Sequence, residues 1–343
     1  MKKIIINGRF LTQRITGVQR YAREIMGELD KIIDKDSIML AIPGGTKNIP
    51  SYRNIKTVYV GRLKNQLWEQ ISFPLYVKRM RGISVNLCNS SPLLSPDIVC
   101  IHDVKIKAKP EYFSKKFSYW YRILFLNETK RAKKIITVSQ FSKSELMKYY
   151  HVKDEKIVVI SNAWQHFERI LNDENALNKY HLEKDKYFFA LGSLEPNKNI
   201  RWIVKAAIDN PDYTFAIAGS INSKVFSEGF GFACPENVKL LGYVSDEEAK
   251  TLMRDCYAFL FPSIYEGYGI PPLEAMSAGA KRLMVSDIEV MHEIFEDSVH
   301  YINVENNKCI LRYFDAIDCT NNILEKYAWS LSAEMLLQAI QSN

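Results

Sequence analysis

Short apolar runs alternate along this chain with longer stretches in which apolar residues recur every third or fourth position. The runs read as buried strands and the periodic stretches as amphipathic helices. In the first half, Ile4–Asn7, Ile38–Ile42, Ile55–Val60, Val85–Cys88, Ile98–His102, Ile135–Val138 and Ile157–Ile160 are expected strands. A helix is expected over Val18–Ile33, with Tyr21, Ile25, Met26, Leu29 and Ile32 on one face. Further helices are expected over Gln66–Met80, interrupted at Pro74, over Phe117–Lys133, and up to Tyr150. Ser139 and Ser142 are the candidate N-caps of the last.

The second half repeats the scheme. Tyr187–Leu191, Tyr213–Ala218, Val238–Leu241, Tyr257–Phe261 and Leu283–Val285 read as strands. Helical periodicity follows Ile200 and covers Asp246–Arg254, the stretch after Pro271, and Glu289–Phe295. Strands separated by helices predict an α/β fold with parallel, doubly wound sheets. A length of 343 residues suits two such domains. The polar, aperiodic stretch 162–186 is the candidate linker.

Charge sharpens this division. Residues 1–165 carry 30 Lys and Arg against 13 Asp and Glu, a net +17, and residues 166–343 are net −10. A strongly basic half favours polyanions: nucleic acid, an anionic membrane or a pyrophosphate-bearing lipid. No apolar stretch reaches the ~20 residues of a membrane span. The opening Met1–Arg9 is too short in its apolar part for a signal peptide. The six cysteines are scattered without a Cys-x-x-Cys pair, which predicts reduced thiols in a cytoplasmic protein.

The most informative stretch is Glu266-Gly267-Tyr268-Gly269-Ile270-Pro271-Pro272-Leu273-Glu274-Ala275-Met276. It follows the Tyr257–Phe261 strand. Gly267 and Gly269 permit a tight turn close to a ligand, and the prolines suit a first helical turn. Strand, glycine loop and helix start together make an anion site. Glu266 and Glu274 bracket it and could accept hydroxyls on either side of a phosphate, the layout of a nucleotide-sugar. Taken as a pair alone, the two glutamates would as readily flank a turn and cap a surface helix.

The full string resembles the signature of retaining glycosyltransferase family 4. The resemblance implies a GT-B fold: two Rossmann-like domains with a cleft between them. It implies that Glu266 contacts the donor sugar, that Gly267, Tyr268, Gly269 and Ile270 meet the phosphates, and that Glu274 binds the ribose. Gly192-Ser193-Leu194-Glu195-Pro196-Asn197-Lys198-Asn199 resembles the family's second donor motif, in which the lysine, here Lys198, binds the diphosphate. Many members have Arg where this chain has Ser193. Alone, Lys198 would read as a solvated turn residue.

Three further blocks extend the resemblance. Val99-Cys100-Ile101-His102-Asp103 is similar to the family's His-Asp block, which implies that His102 reaches the donor sugar. In isolation it reads as a satisfied histidine at a strand end. Thr16-Gly17-Val18 resembles the N-terminal loop, where Gly17 would approach the donor, although a plain helix start fits as well. The last helix, in residues 326–343, resembles the family's closing helix, which packs back on the first domain. The expected division is therefore 1–165 acceptor side, 166–325 donor side and 326–343 closing helix.

Between these blocks, Lys105, Lys107, Lys109, Lys115, Lys116, Trp120 and Arg122 interleave cations with aromatics. A solvated helix with an apolar inner side explains this, and so does an acceptor or membrane surface.

The resulting expectation is a metal-independent, retaining glycosyltransferase at the inner face of the cell membrane. It would carry no cofactor, with a nucleotide diphosphate sugar, GDP-mannose first, as co-substrate. The acceptor would be a lipid-diphosphate-linked saccharide in O-antigen or capsule assembly. A nucleotide-sugar epimerase or hydrolase is the alternative. Nucleic-acid binding by the basic half is a weaker one, since no nucleic-acid motif is present.

Overall fold

The computed structural model describes residues 2–192, 195–219, 234–305, 311 and 322–342. The chain divides into two compact units, Met1–Asn162 with Ala328–Asn343, and Ala163–Tyr327.

The first unit is built on a seven-stranded parallel sheet in the order β3-β2-β1-β4-β5-β6-β7. Its strands are β1 (Ile4–Asn7), β2 (Ile38–Pro43), β3 (Lys56–Val60), β4 (Ile83–Asn86), β5 (Ile98–Cys100), β6 (Lys134–Thr137) and β7 (Ile157–Val159). β4 and β5 are buried on both faces; β5 is an unbroken apolar run, whereas β4 carries Ser84 and Asn86, whose side chains are hydrogen-bonded inside. The helix Gly17–Ile32 buries Tyr21, Ala22, Ile25, Met26 and Leu29. Ile32, expected on that face, is exposed and Ile33 is buried instead, because the helix ends there and the chain turns extended.

The expected break at Pro74 takes another form. Helical backbone continues from Asn65 to Arg79 through one π turn, Trp68–Ser72, with Pro74 just beyond it in the first turn of Phe73–Arg79. The wider turn ends before the ring that would otherwise clash with the preceding carbonyl. Ser139, and not Ser142, caps the helix Gln140–Tyr150, its Oγ accepting from Ser142 N at 3.0 Å.

The C-terminal helix Trp329–Gln341 belongs to this first unit. It lies against Gly17–Ile32, with Trp329 edge-on to Tyr21 at 6.0 Å, and Ser332 Oγ donates to Ser161 O at 2.8 Å.

The second unit has a six-stranded parallel sheet in the order β10-β9-β8-β11-β12-β13. Its strands are β8 (Tyr187–Leu191), β9 (Thr214–Ala218), β10 (Val238–Gly242), β11 (Ala258–Phe261), β12 (Leu283–Ser286) and β13 (His300–Ile302). Phe188, Phe215, Ile217, Leu260 and Met284 form its core with Trp202, Ile203 and Val204 of the helix Ile200–Asp209.

In each sheet the strand order reverses beside one central strand: between β1 and β4, and between β8 and β11. Ligands of open parallel sheets gather beyond the carboxyl ends of strands at such points. Among the described residues, no helix is long and apolar enough to cross a membrane.

Candidate active site

The loops leaving β8 and β11 meet at the second unit's switch point. After β11 the chain turns through Gly269, whose φ of 104° lies in the left-handed region, and enters the helix Ile270–Ala278. A Cβ there would come within 2.6 Å of Met291 Cε, so space and backbone conformation both demand glycine. Pro271 and Pro272 occupy the next two helical positions and carry no N–H. Of the first three helical amides, only that of Ile270 can therefore donate to an anion. The helix dipole adds its positive end.

The loop after β8 supplies the cation. Lys198 Nζ lies 2.7 Å from Glu266 Oε1 and 5.1 Å from the centre of the Phe261 ring. Asn197 stitches the two loops together: its carbonyl accepts from Ile264 N at 2.8 Å, and its amide reaches Tyr265 O at 3.3 Å and Glu266 Oε1 at 3.4 Å. Asn199, with φ of 51°, makes the turn into the next helix. Ser193 lies outside the described residues.

Glu274 sits one turn inside its helix. Its Oε1 accepts from Nε2 of His166 at 2.8 Å, and the histidine side chain is 1% exposed against 12% for the carboxylate. A carboxylate only accepts, so Nε2 bears a proton. Tyr268 is buried and packs edge-on against Tyr327 at 5.8 Å, which leaves its backbone, not its ring, to face a ligand.

In the first unit, His102 follows β5 and is buried. Nε2 donates to Leu87 O at 2.9 Å, His102 N donates to Asn89 Oδ1 at 2.6 Å, and the ring meets Tyr21 edge-on at 4.8 Å. Ser142 Oγ donates to His102 O at 3.0 Å. Burial pulls the pKa down to about 4, so the ring is neutral at pH 7 with its proton on Nε2. Asp103 Oδ1 accepts from Lys105 N at 2.9 Å and shapes the loop. Gly17 is the exposed first residue of its helix.

Of the interleaved basic stretch, Lys107, Lys115 and Lys116 are exposed, and Lys105, Lys109, Trp120 and Arg122 are half-buried. Four of its aromatics, Phe113, Phe117, Tyr121 and Phe125, form a ladder with successive ring separations of 5.6, 4.6 and 5.7 Å that runs from the exposed Phe117 to the buried Phe125, and Tyr119 is exposed. The sequence does hold one Asp-x-Asp string, Asp34-Lys35-Asp36; it is exposed and lies at the amino end of β2, the opposite end of that strand from the one where ligands gather.

Sequence reasoning passed over two participants. His166 stands in the stretch expected to be a linker; its one sign in the sequence is a histidine set between Trp164 and the buried Phe167. Asn197 is part of the Lys198 string, where no local signal sets it apart.

This arrangement agrees with what the chain resembles. The family model described as Glycosyltransferase Family 4 matches residues 15–164, and that described as Glycosyl transferases group 1 matches residues 172–315. The chain belongs to these glycosyltransferases, with two Rossmann-like domains of the GT-B type.

Among relatives, the O-antigen chain mannosyltransferase RfbU of Salmonella typhimurium LT2 is 28% identical over 362 residues, covering 97% of this chain and 98% of that one. O-antigen chain mannosyltransferase B of Escherichia coli is 28% identical over 219 residues, covering 59% of this chain and 55% of its own length. Among solved structures, Anabaena Alr3699/HepE in complex with UDP and glucose aligns with a TM-score of 0.68 at 15% identity, covering 100% of both chains. WaaG, a glycosyltransferase involved in lipopolysaccharide biosynthesis, aligns with a TM-score of 0.63 at 14% identity, covering 99% of this chain and 95% of that one.

Proposed function

We propose that this glycosyltransferase moves mannose from GDP-mannose, with retention of configuration, to a lipid-diphosphate-linked saccharide during assembly of a bacterial surface polysaccharide. The observation that carries the donor half of this reading is the pairing of Lys198 with Glu266 at the β8/β11 switch point. A cation and an acid held 2.7 Å apart are both ready to exchange partners. An entering diphosphate takes the lysine, and the released carboxylate accepts hydroxyls of the sugar. As the sugar–phosphate bond breaks, Lys198, the Ile270 amide and the helix dipole stabilise charge on the departing diphosphate. No step here requires a metal. Glu274, fixed by His166, holds the ribose. Neutral His102 approaches the donor sugar, and Gly17 opens a helix beside the donor.

Mannose and the O-antigen setting are supported by the names of the two mannosyltransferase relatives. A lipid-borne acceptor places the protein at the inner face of the membrane. The basic first unit, including Lys107, Lys115 and Lys116, provides the electrostatic attraction.

Thermal unfolding with GDP, UDP and dTDP tests the donor, because a bound nucleotide raises the melting temperature by mass action. GDP should give the largest rise. A larger rise with UDP or dTDP would replace the donor, and no rise with any of the three would remove the nucleotide-sugar reading.

A further inference from the structure

Two helical segments of the first unit turn apolar side chains outward. On the segment Asn65–Arg79, Trp68, Phe73 and Val77 are buried, yet Leu67, Ile71 and Leu75 are exposed at spacings of four. A step of four overshoots one α turn, and the wider π turn at Trp68–Ser72 offsets that drift, keeping the three in a row. On the helix Lys115–Arg131, Leu124 and Phe125 are buried and Ile123 and Leu126 are exposed, with Tyr119 one turn before them.

The loop between β4 and β5 joins the two segments. Gln70 Nε2 donates to Ser91 O and Leu93 N donates to Gln70 Oε1, both at 2.9 Å. From the other side, Asn127 Nδ2 donates to Leu93 O at 3.1 Å. Leu94 stands on this bridge. These exposures run from 37% for Ile123 to 70% for Tyr119, and the bridge through Gln70, Leu93 and Asn127 makes them a band and not a scatter of single side chains.

The exposed charge on the two helical segments has one sign. Glu69 and Glu128 are the sole carboxylates on the two segments, and both are buried, one on Asn7 and Arg9, the other on Ser91. Arg62, Lys64, Arg79, Lys116 and Lys130 are exposed and form no ion pair among the described residues. A merely solvated helix mixes both signs on its outer face. Apolar side chains rimmed by cations alone suit the boundary between acyl chains and anionic headgroups. A second copy of the chain fits poorly, since a two-fold contact would set this rim against itself.

We propose that Leu67, Ile71, Leu75, Leu94, Ile123 and Leu126 enter the headgroup region of an anionic bilayer while the surrounding cations bind its phosphates. This deepens the membrane contact proposed above and rests on it. Within the basic aromatic stretch it assigns insertion to Ile123 and Leu126 and not to the ladder of rings, which pack on one another.

The test is co-sedimentation of the full chain with phosphatidylcholine vesicles, with and without phosphatidylglycerol. The wild type should bind the anionic vesicles. Leu67→Glu/Ile71→Glu/Leu75→Glu should weaken that binding at least ~10-fold while keeping its circular dichroism and nucleotide-induced melting shift. Leu94→Glu, a single change in a loop, should weaken it in the same direction and stands in should the triple variant fail to fold. No binding by the wild type would end both membrane readings. Retained binding in these variants, with loss in Lys107→Ser/Lys115→Ser, would leave the earlier reading and overturn this surface. So would a wild-type dimer in solution that the triple variant dissociates without change in vesicle binding.

Discussion

His166 Nε2 donates to Glu274 Oε1 across 2.8 Å, joining a buried side chain just after the unit boundary to the second acid of the donor motif 108 residues later. The other carboxylate oxygen, Oε2, has no protein partner among the described residues. His166 thus spends one oxygen to fix the rotamer and leaves one for a ligand hydroxyl. Hydrogen bonds to a carboxylate contribute about 1.5–3 kcal/mol. Glu274→Ala is therefore expected to weaken donor binding about 10- to 100-fold. His166→Ala should raise KM for the donor and leave kcat nearly unchanged, and His166→Gln should restore part of the loss. Calorimetric titration with the nucleoside diphosphate and steady-state kinetics check both; unchanged affinity in Glu274→Ala would refute the ribose assignment.

Lys198 distinguishes phosphate recognition from nucleoside recognition. If its ammonium leaves Glu266 for the diphosphate, Lys198→Ala should lower nucleoside diphosphate affinity by about 10-fold or more and leave nucleoside affinity alone. Glu266→Gln frees the lysine from its pair, so it should keep or improve nucleoside diphosphate binding while losing turnover. Equal losses for nucleoside and nucleoside diphosphate in Lys198→Ala would mean that the lysine supports the loop and does not bind the phosphates.

His102 should remain neutral well below the range in which histidines usually titrate. Its folded pKa, about 4, lies below the unfolded value near 6.5 because the ring is buried. The unfolded chain therefore takes up the proton first. The contribution to stability is present above pH ~6.5 and is lost as pH falls toward ~4, by about 2 kcal/mol between pH 6.5 and 5. Imidazole nitrogen shifts should report the Nε2–H tautomer down to pH 5. Titration of His102 near pH 6.5 would exclude a buried neutral ring.

The division of labour between sequence and structure shows in these residues. Apolar runs exposed most strands because parallel strands covered on both faces tolerate few polar positions, as β5 and β8 show, while β4, with Ser84 and Asn86, gave a weaker signal. The strand–glycine–proline string disclosed the Glu266 loop because each residue there meets a local backbone demand. His166 and Asn197 escaped notice because their partners are distant in sequence, 108 residues for Glu274 and 69 for Glu266, and no local periodicity records such a meeting. The π turn was equally hidden: Pro74 announced a disturbance, but only tertiary packing of Trp68 and Phe73 sets where the extra residue falls. The basic aromatic stretch is legible only in part: its composition fits an interfacial belt and a solvated helix alike, and the ring contacts among Phe113, Phe117 and Tyr121 follow from the fold.

Glu128 makes the last prediction. It lies fully buried on the helix Lys115–Arg131, where Oε1 accepts from Ser91 Oγ at 2.7 Å and Oε2 has no partner among the described residues. Burial pushes its pKa up to about 8, against the lowering effect of Ser91. The group is raised above its unfolded value of 4.5, so its contribution to stability is complete below pH ~4.5 and is lost as pH rises through ~8. Glu128→Gln removes the proton exchange and keeps the shape. Its amide keeps an acceptor for Ser91, so the variant should lose least, or gain, where the wild type is most strained. Urea midpoints should therefore shift in favour of Glu128→Gln between pH 5 and pH 8.5. A difference between the two proteins that does not change with pH would mean that Glu128 stays ionised in the fold, a buried charge with no ion-pair partner among the described residues.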